Sequence, residues 1–125
     1  MFDFPQSQPL AELTAKFYET GKIVFAVCHG PCGSLEVNLS NGQALVKGKD
    51  VTGFSWTEEV VAKRDHAVPF SLEEELKKRG GKYSKALIPF KSHVVEDGLL
   101  ITGQNRGSAH AVGQAVVRKL RETRR

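Results

Sequence analysis

Cysteine is scarce in this chain: only Cys28 and Cys32 occur among its 125 residues. Two thiols are too few for a disulfide framework and fit a reducing compartment, so a cytoplasmic location is expected. Long apolar runs are missing too, and no stretch approaches the length of a membrane span. The segment Met1 to Pro9 lacks a basic region followed by an apolar one, so no signal peptide is expected. His66, His93 and His110 lie far apart, with no pair at metal-ligand spacing on an expected helix. There is no internal repeat and no low-complexity tract.

Excess charge is also missing from most of the chain. The formal net charge is +4, and the last eight residues, Arg118 to Arg125, account for all of it with five basic side chains and one acid. Cations at the end of a helix suit its dipole, and a basic tail is ordinarily a solvated helix end. No basic groove or aromatic pattern accompanies it, so nucleic acid is not an expected partner. A length of 125 residues with 40% apolar and 26% charged residues suits one modest globular domain.

The stretch Lys22 to Pro31 is the one around which the rest is organised. Ile23 to Val27 is a short apolar run rich in β-branched residues and reads as a buried strand. Cys28 and His29 follow. Gly30 then allows a tight turn, and Pro31 suits the first position of a helix. A turn between strand and helix lifts one side chain clear of the sheet. It also sets that side chain beside a helix N-terminus, which favours thiolate over thiol, and beside backbone N–H groups that can stabilise an oxyanion. The residues alone leave a second reading open, in which Cys28 is a buried packing residue at the end of a strand.

Around this stretch the pattern alternates helix and strand. Ser7 or Gln8 caps an expected helix carrying Leu10, Leu13, Phe17 and Tyr18, and Gly21 ends it. Leu35, Val37 and Leu39 suggest a short helix after the turn, and Ser40-Asn41-Gly42 a further turn. Ala44 to Val46 and Lys49 to Thr52 read as short strands. Gly53 to Thr57 reads as a loop and Glu58 to Lys63 as helical. Ser71 caps a helix over Leu72 to Arg79 that Gly80 and Gly81 stop. Tyr83 to Ile88 is extended. His93 to Val95 and Leu99 to Thr102 flank Glu96-Asp97-Gly98, a hairpin signal with Asp-Gly at the turn. Ser108 caps the last helix, with Ala111, Val112, Ala115, Val116 and Leu120 on one face.

Four segments in order carry a resemblance: Ala26-Val-Cys-His-Gly-Pro31, Val51-Thr-Gly-Phe54 with Glu58-Glu59 close behind, Val68-Pro-Phe70, and Ile101-Thr-Gly-Gln-Asn105. Together they resemble the ThiJ/PfpI superfamily (class I glutamine amidotransferase-like), within it the branch of glyoxalase III and stress-chaperone-like proteins. The resemblance runs over nearly the whole chain. It implies a flavodoxin-like three-layer α/β/α sandwich with a mostly parallel sheet, of which residues 1–125 are the C-terminal part. Cys28 matches the nucleophile and His29 its neighbouring histidine. Glu59 best matches the acid of a Cys–His–acid triad, with Glu58 the alternative one residue out of register. His29 could equally serve through its backbone N–H.

In that branch a thiolate adds to an aldehyde such as methylglyoxal, and a base moves a proton between adjacent carbons to leave a 2-hydroxy acid. The resemblance thus implies a small 2-oxoaldehyde substrate and no metal or organic cofactor. A redox-sensing or holding chaperone is a second expectation, and an inactive remnant a third. Glutamine amidotransferase activity would want a downstream His and Glu in a nearby pair, which is not found. Family members begin with a strand, helix and strand, and with a glutamate and glycines that attend the cysteine; Met1-Phe2-Asp3-Phe4-Pro5 resembles the segment just after those glycines, which implies that residues 1–125 lack the family's N-terminal strands. Without such neighbours Ile23 to Val27 is expected to expose backbone and apolar surface unless a second copy or a complementing chain covers it. Cys32 reads either as a resolving thiol or as a small packing residue. Trp56 reads as lining the pocket or covering the helix, and Asn105 and Arg106 as approaching the pocket or as plain loop.

Overall fold

In the computed structural model, which describes residues 1–123, the chain runs α1 (Gln8–Glu19), β1 (Val24–Val27), β2 (Asp50–Val51), α2 (Trp56–Val61), α3 (Leu72–Lys78), β3 (Lys82–Tyr83), β4 (Val94–Asp97), β5 (Leu100–Gly103) and α4 (Ala109–Thr123). Arg124 and Arg125, the end of the basic tail, lie outside the described residues. Local chemistry explains the helix ends. Ser7 Oγ accepts from the Leu10 N–H at 3.3 Å with Pro9 in the first turn, and Gly21 at φ +84° ends α1 in the left-handed region. Ser71 Oγ accepts from the Glu74 N–H at 3.2 Å to start α3, and Gly80 at φ +87° stops it.

Strand β5 is the centre of a three-stranded sheet in the order β1-β5-β4. It pairs parallel with β1, Val24 opposite Leu100, and antiparallel with β4, Asp97 opposite Leu100. Successive residues of a strand face opposite ways. Leu100 therefore joins one core with Cys32, Leu35, Val46, Val51, Leu72 and Leu76, while Ile101 joins another with Val112 and Ala115 of α4. Both faces of β5 are covered, the mark of an α/β arrangement. Each of these two side chains contributes about 1.5–3 kcal/mol of apolar burial. A parallel pair of β2 and β3 stands alongside, with Asp50 opposite Lys82. Two bonds tie it to the main sheet: the Thr52 N–H donates to Thr102 Oγ1 at 3.0 Å, and the Asp50 N–H to Asp97 Oδ2 at 2.8 Å.

Several local expectations change. β1 is an edge strand: among the described residues it pairs with β5 alone, and Phe25 is 56% exposed. The expected buried strand is therefore half-buried. Leu35 to Leu39 does not continue a helix; the elbow is followed by a five-residue 3₁₀ turn, Gly30–Ser34, and Leu35 and Val37 reach the core from irregular backbone. Ala44 makes only an isolated bridge with Asn38, because Leu45 and Val46 are turned into two separate cores. Helix α2 begins at Trp56, two residues before its expected start, because Ser55 caps it. In the hairpin Asp97 still pairs with Leu100, so the loop residues are Gly98 and Leu99, and Gly98 at φ +60° takes the first position of a type II′ turn. On α4, Leu120 is 49% exposed while Val112 and Ala115 are buried.

Candidate active site

Cys28 ends β1 at φ +65°, a left-handed backbone that a non-glycine residue adopts only under constraint, at a cost of order 1–3 kcal/mol. Two hydrogen bonds hold it there. Its N–H donates to the Gly103 carbonyl at 2.9 Å, and its carbonyl accepts from the Phe54 N–H at 2.9 Å. The turn is close: a Cβ on Gly30 would stand 3.3 Å from Cβ of Ala26. The strand, the reversal at Cys28 and the short turn after it lift the thiol off the sheet.

Three side chains meet there in a line. Cys28 Sγ stands 3.7 Å from His29 Nδ1, and His29 Nε2 stands 3.0 Å from Glu59 Oε2. An ionised carboxylate only accepts, so its partner Nε2 carries the proton and Nδ1 turns a lone pair to the thiol. Glu59 is 1% exposed and His29 35% exposed on their side chains, so the acid is fixed and the imidazole faces solvent on one side. Glu59 Oε1 is buried without a partner, leaving His29 as the one side chain this carboxylate addresses among the described residues. Phe54 backs the imidazole, ring centroids 4.5 Å apart, and Phe90 stands edge-on to Phe54 at 5.9 Å.

Glu58, the neighbour of that acid, is committed elsewhere. Its Oε1 accepts from Ser55 N–H at 3.0 Å, Ser55 Oγ at 3.1 Å and Gln104 Nε2 at 2.8 Å. Its Oε2 accepts from Phe90 N–H at 2.7 Å and Asn105 Nδ2 at 2.8 Å. Burial pushes this carboxyl up, but the bonds from Ser55, Gln104, Asn105 and Phe90 outweigh it and hold it below the usual carboxylate range. Consecutive residues of a helix point about 100° apart, which is why Glu59 faces His29 while Glu58 faces the loops after β3 and β5. Ser55 and Gln104 carry no role in the sequence reading, although Ser-x-x-Glu at positions 55–58 has the spacing of a capping box. Gln104 belongs to the Ile101-Thr-Gly-Gln-Asn105 segment, but its contact with α2 has no local signature.

The thiol itself departs from expectation. Burial, with smaller help from the Glu58 and Glu59 charges, pushes the Cys28 thiol up, against the His29 backbone N–H and Arg106, which favour thiolate. The turn that follows is a five-residue 3₁₀ segment rather than an α-helix, so the expected dipole is too short to win. Cys32 is 1% exposed in the core with Leu35 and Leu100, as a packing residue is. Trp56 does not line the cavity beside Cys28; its backbone N–H donates to Glu73 Oε1 at 3.1 Å. Asn105 is buried on Glu58 and Lys91, whereas Arg106 reaches the cavity. His66 is exposed beside Asp65, and His93 bonds Ser84 Oγ at 2.9 Å. The cavity, about 530 Å³, is lined by Cys28, His29, Phe54, Phe90, Arg64 and Arg106 among others.

The DJ-1/PfpI family model matches residues 3–119. Among curated proteins, the chain is 33% identical to the glutathione-independent glyoxalase HSP31 of Saccharomyces cerevisiae, over 89% of this chain and 49% of that protein. It is 36% identical to the probable glutathione-independent glyoxalase hsp3103 of Schizosaccharomyces pombe, over 96% of this chain and 49% of that protein. Among solved structures, glyoxalase III of Candida albicans superposes with a TM-score of 0.86 at 29% identity, over 94% of this chain and 52% of that one. The Rapid Encystment Protein 24 KDa of Francisella tularensis superposes with a TM-score of 0.90 at 36% identity, over 94% of this chain and 52% of that one. The chain thus spans about half the length of the curated relatives it matches.

Proposed function

Because the chain belongs to the DJ-1/PfpI family and has its flavodoxin-like α/β fold in part, we propose that it carries the cysteine centre of a glutathione-independent glyoxalase III-like lyase. Such an enzyme turns 2-oxoaldehydes such as methylglyoxal into 2-hydroxy acids. The observation that carries this reading is the line of contacts from Cys28 Sγ through the His29 ring to Glu59 Oε2 at the wall of one cavity. Relatives named as glyoxalases support it.

In this scheme burial of the half-buried Cys28 thiol raises its pKa, so attack needs a base. His29 Nδ1 takes the Sγ proton as sulfur adds to the aldehyde carbon and returns it to the new alkoxide oxygen, giving a hemithioacetal and a neutral imidazole. Glu59 holds the imidazole in the receiving tautomer and stabilises the imidazolium. His29 then removes the hydrogen from the former aldehyde carbon and a proton returns at the neighbouring carbon, leaving a thioester of the 2-hydroxy acid. Water hydrolyses the thioester and frees Cys28. Overall one water is added, with no external oxidant or reductant. A free Cys28 thiol suits a reducing compartment, and we place the protein in the cytoplasm on that ground.

A holding chaperone is the second reading. Phe4, Leu13, Phe17 and Phe25 leave apolar surface exposed around β1, which suits unfolded clients, a second copy or a complementing chain. The raised Cys28 pKa argues against a low-pKa redox sensor at that position.

The test is lactate formation from methylglyoxal without glutathione, by the protein isolated from its source cells. Cys28→Ala is expected to abolish it. An unsubstituted protein that makes no lactate, or a Cys28→Ala variant that keeps the full rate, overturns the reading.

A further inference from the structure

The cavity beside Cys28 has a polarity that the relay of Cys28, His29 and Glu59 does not use. Among the described residues no acidic side chain lines it, whereas two arginines do, Arg64 and Arg106. Neither guanidinium has a hydrogen-bond or ion partner among the described residues, in contrast to Arg79, which is paired with Glu36 and Glu75, and Arg118, paired with Glu96. The two cations stand on exposed positions. Glu58 and Glu59, at 0% and 1% exposure, are buried and do not line the cavity. A ligand held in the Cys28 cavity therefore meets the two arginines and neither of the two buried acids.

Their backbones are fixed by the same framework that builds the site. Lys63 at φ +59° turns the chain at the end of α2, the Arg64 N–H donates to the Glu59 carbonyl at 2.8 Å, and the Arg64 carbonyl accepts from Ala67 and Val68. Arg106 follows Asn105, whose side chain is clamped between Glu58 and the Lys91 carbonyl, and the Ser108 N–H closes the turn on the Asn105 carbonyl at 2.9 Å. One arginine thus leaves the helix that supplies the acid, and the other leaves the strand that props the cysteine. Unpaired guanidiniums on fixed backbones beside apolar walls, here Phe54 and Phe90, are suited to forked recognition of a carboxylate or phosphate.

We propose that Arg64 and Arg106 form an anion-recognition pair in the Cys28 cavity, so that the site takes 2-oxoaldehydes bearing a carboxylate or phosphate group beyond the ketone carbon. The substrate class rests on the lyase reading above; the anion pair itself does not. In such a substrate the aldehyde carbon meets Sγ and the anionic end lies between the guanidiniums. Phe54 and Phe90 flank the short carbon chain between the two ends.

The test separates the two statements. Cys28 is alkylated with iodoacetate and with iodoacetamide, reagents that each lose iodide to the same thiolate and differ in charge; Cys32, at 1% exposure, is shielded in the folded protein. Any change in thiolate fraction scales both rates equally, so their ratio isolates attraction for the anion. In the double variant Arg64→Gln with Arg106→Gln the iodoacetate-to-iodoacetamide ratio is expected to fall about three- to fivefold, as for loss of exposed charge contacts. In the unsubstituted protein added salt lowers the ratio in the same direction. A ratio that the double variant leaves unchanged overturns the anion pair, whatever the enzyme does. If the pair passes, kcat/KM of the unsubstituted protein is compared for methylglyoxal and 3-phosphooxy-2-oxopropanal. Preference for the phosphorylated compound supports the substrate class, and preference for methylglyoxal overturns it. Absence of turnover with both compounds sinks the lyase reading and the substrate class with it, and leaves the alkylation ratio standing.

Discussion

Glu58 accepts a hydrogen bond from the Asn105 side chain, Oε2 to Nδ2 at 2.8 Å, across 47 positions of sequence. With the further bonds from Ser55, Phe90 and Gln104, this one carboxylate ties the start of α2, the loop before β4 and the segment after β5 into a single framework. Cys28, His29 and Glu59 are attached to that framework, and their spacing depends on it.

Glu58→Gln should therefore destabilise the protein. An amide offers one acceptor oxygen where two are used, and its NH₂ faces donors, so the loss is expected at about 2–4 kcal/mol. The pH dependence follows from the lowered pKa of Glu58. The folded protein binds this proton more weakly than the unfolded chain. The contribution is complete above the unfolded value of about 4.3 and is lost as pH falls through the lower folded value. Urea unfolding of both proteins from pH 7 down into the acid range measures it. Equal stability of variant and parent at pH 7 would refute the framework role.

Glu59→Gln should act on rate more than on stability. The amide can donate to His29 Nε2, which moves the imidazole proton to Nδ1 and turns a donor toward Cys28. Lactate formation is expected to fall about 10²-fold or more, with KM little changed. Steady-state kinetics with methylglyoxal checks this; an unaltered kcat would remove Glu59 from the relay.

Two glycines make a paired test of packing. A Cβ at Gly103 would stand 2.6 Å from Val112 Cγ2, 3.0 Å from Ser108 Cβ and 3.1 Å from Val27 Cγ2, so β5, α4 and β1 would all have to give. Gly103→Ala is expected to cost about 1–3 kcal/mol. Gly113, inside α4, would meet nothing within 4 Å. Gly113→Ala is expected to gain about 0.5–1 kcal/mol from helix propensity. Thermal melts of the two variants should move in opposite directions.

The free edge of β1 predicts association. Phe25 is 56% exposed beside an unpaired row of backbone groups, and an apolar cavity of about 560 Å³ opens between this strand, Leu10 and Val112. The 125-residue chain is expected to assemble in solution, and Phe25→Asp to weaken that assembly by at least several-fold. Sedimentation at two concentrations measures both. A concentration-independent monomer with a cooperative melt would count against it.

What could be read locally lies within a few residues of chain. Ser71 as a cap and Gly21 and Gly80 as stops satisfy their backbone groups within about four positions, and there the sequence is enough; it leaves Ser7 and Gln8 both open as the first cap and sets the hairpin turn one residue early. So is the reversal after Ile23 to Val27, where Gly30 and Pro31 mark the turn. The errors arise where the partner is distant. Leu35 to Leu39 has the spacing of a helix, but its apolar side chains are drawn into separate cores. Ser55 reads as loop beside Gly53, and its capping bond becomes visible only with α2 in place.

The sequence by itself determined the family pattern, the cysteine on its turn, the histidine beside it and an adjacent pair of acids, since each is a property of neighbours in the chain. Only the tertiary structure decided which acid faces His29, because the loops after β3 and β5 claim Glu58 and leave Glu59. It alone decided that the thiol's pKa is pushed up, since desolvation by residues far along the chain outweighs a short turn. It also brought Arg64 and Arg106, 42 positions apart in sequence, to one cavity. Burial, charge and convergence are set by what packs against a residue, and no window of neighbouring residues contains that.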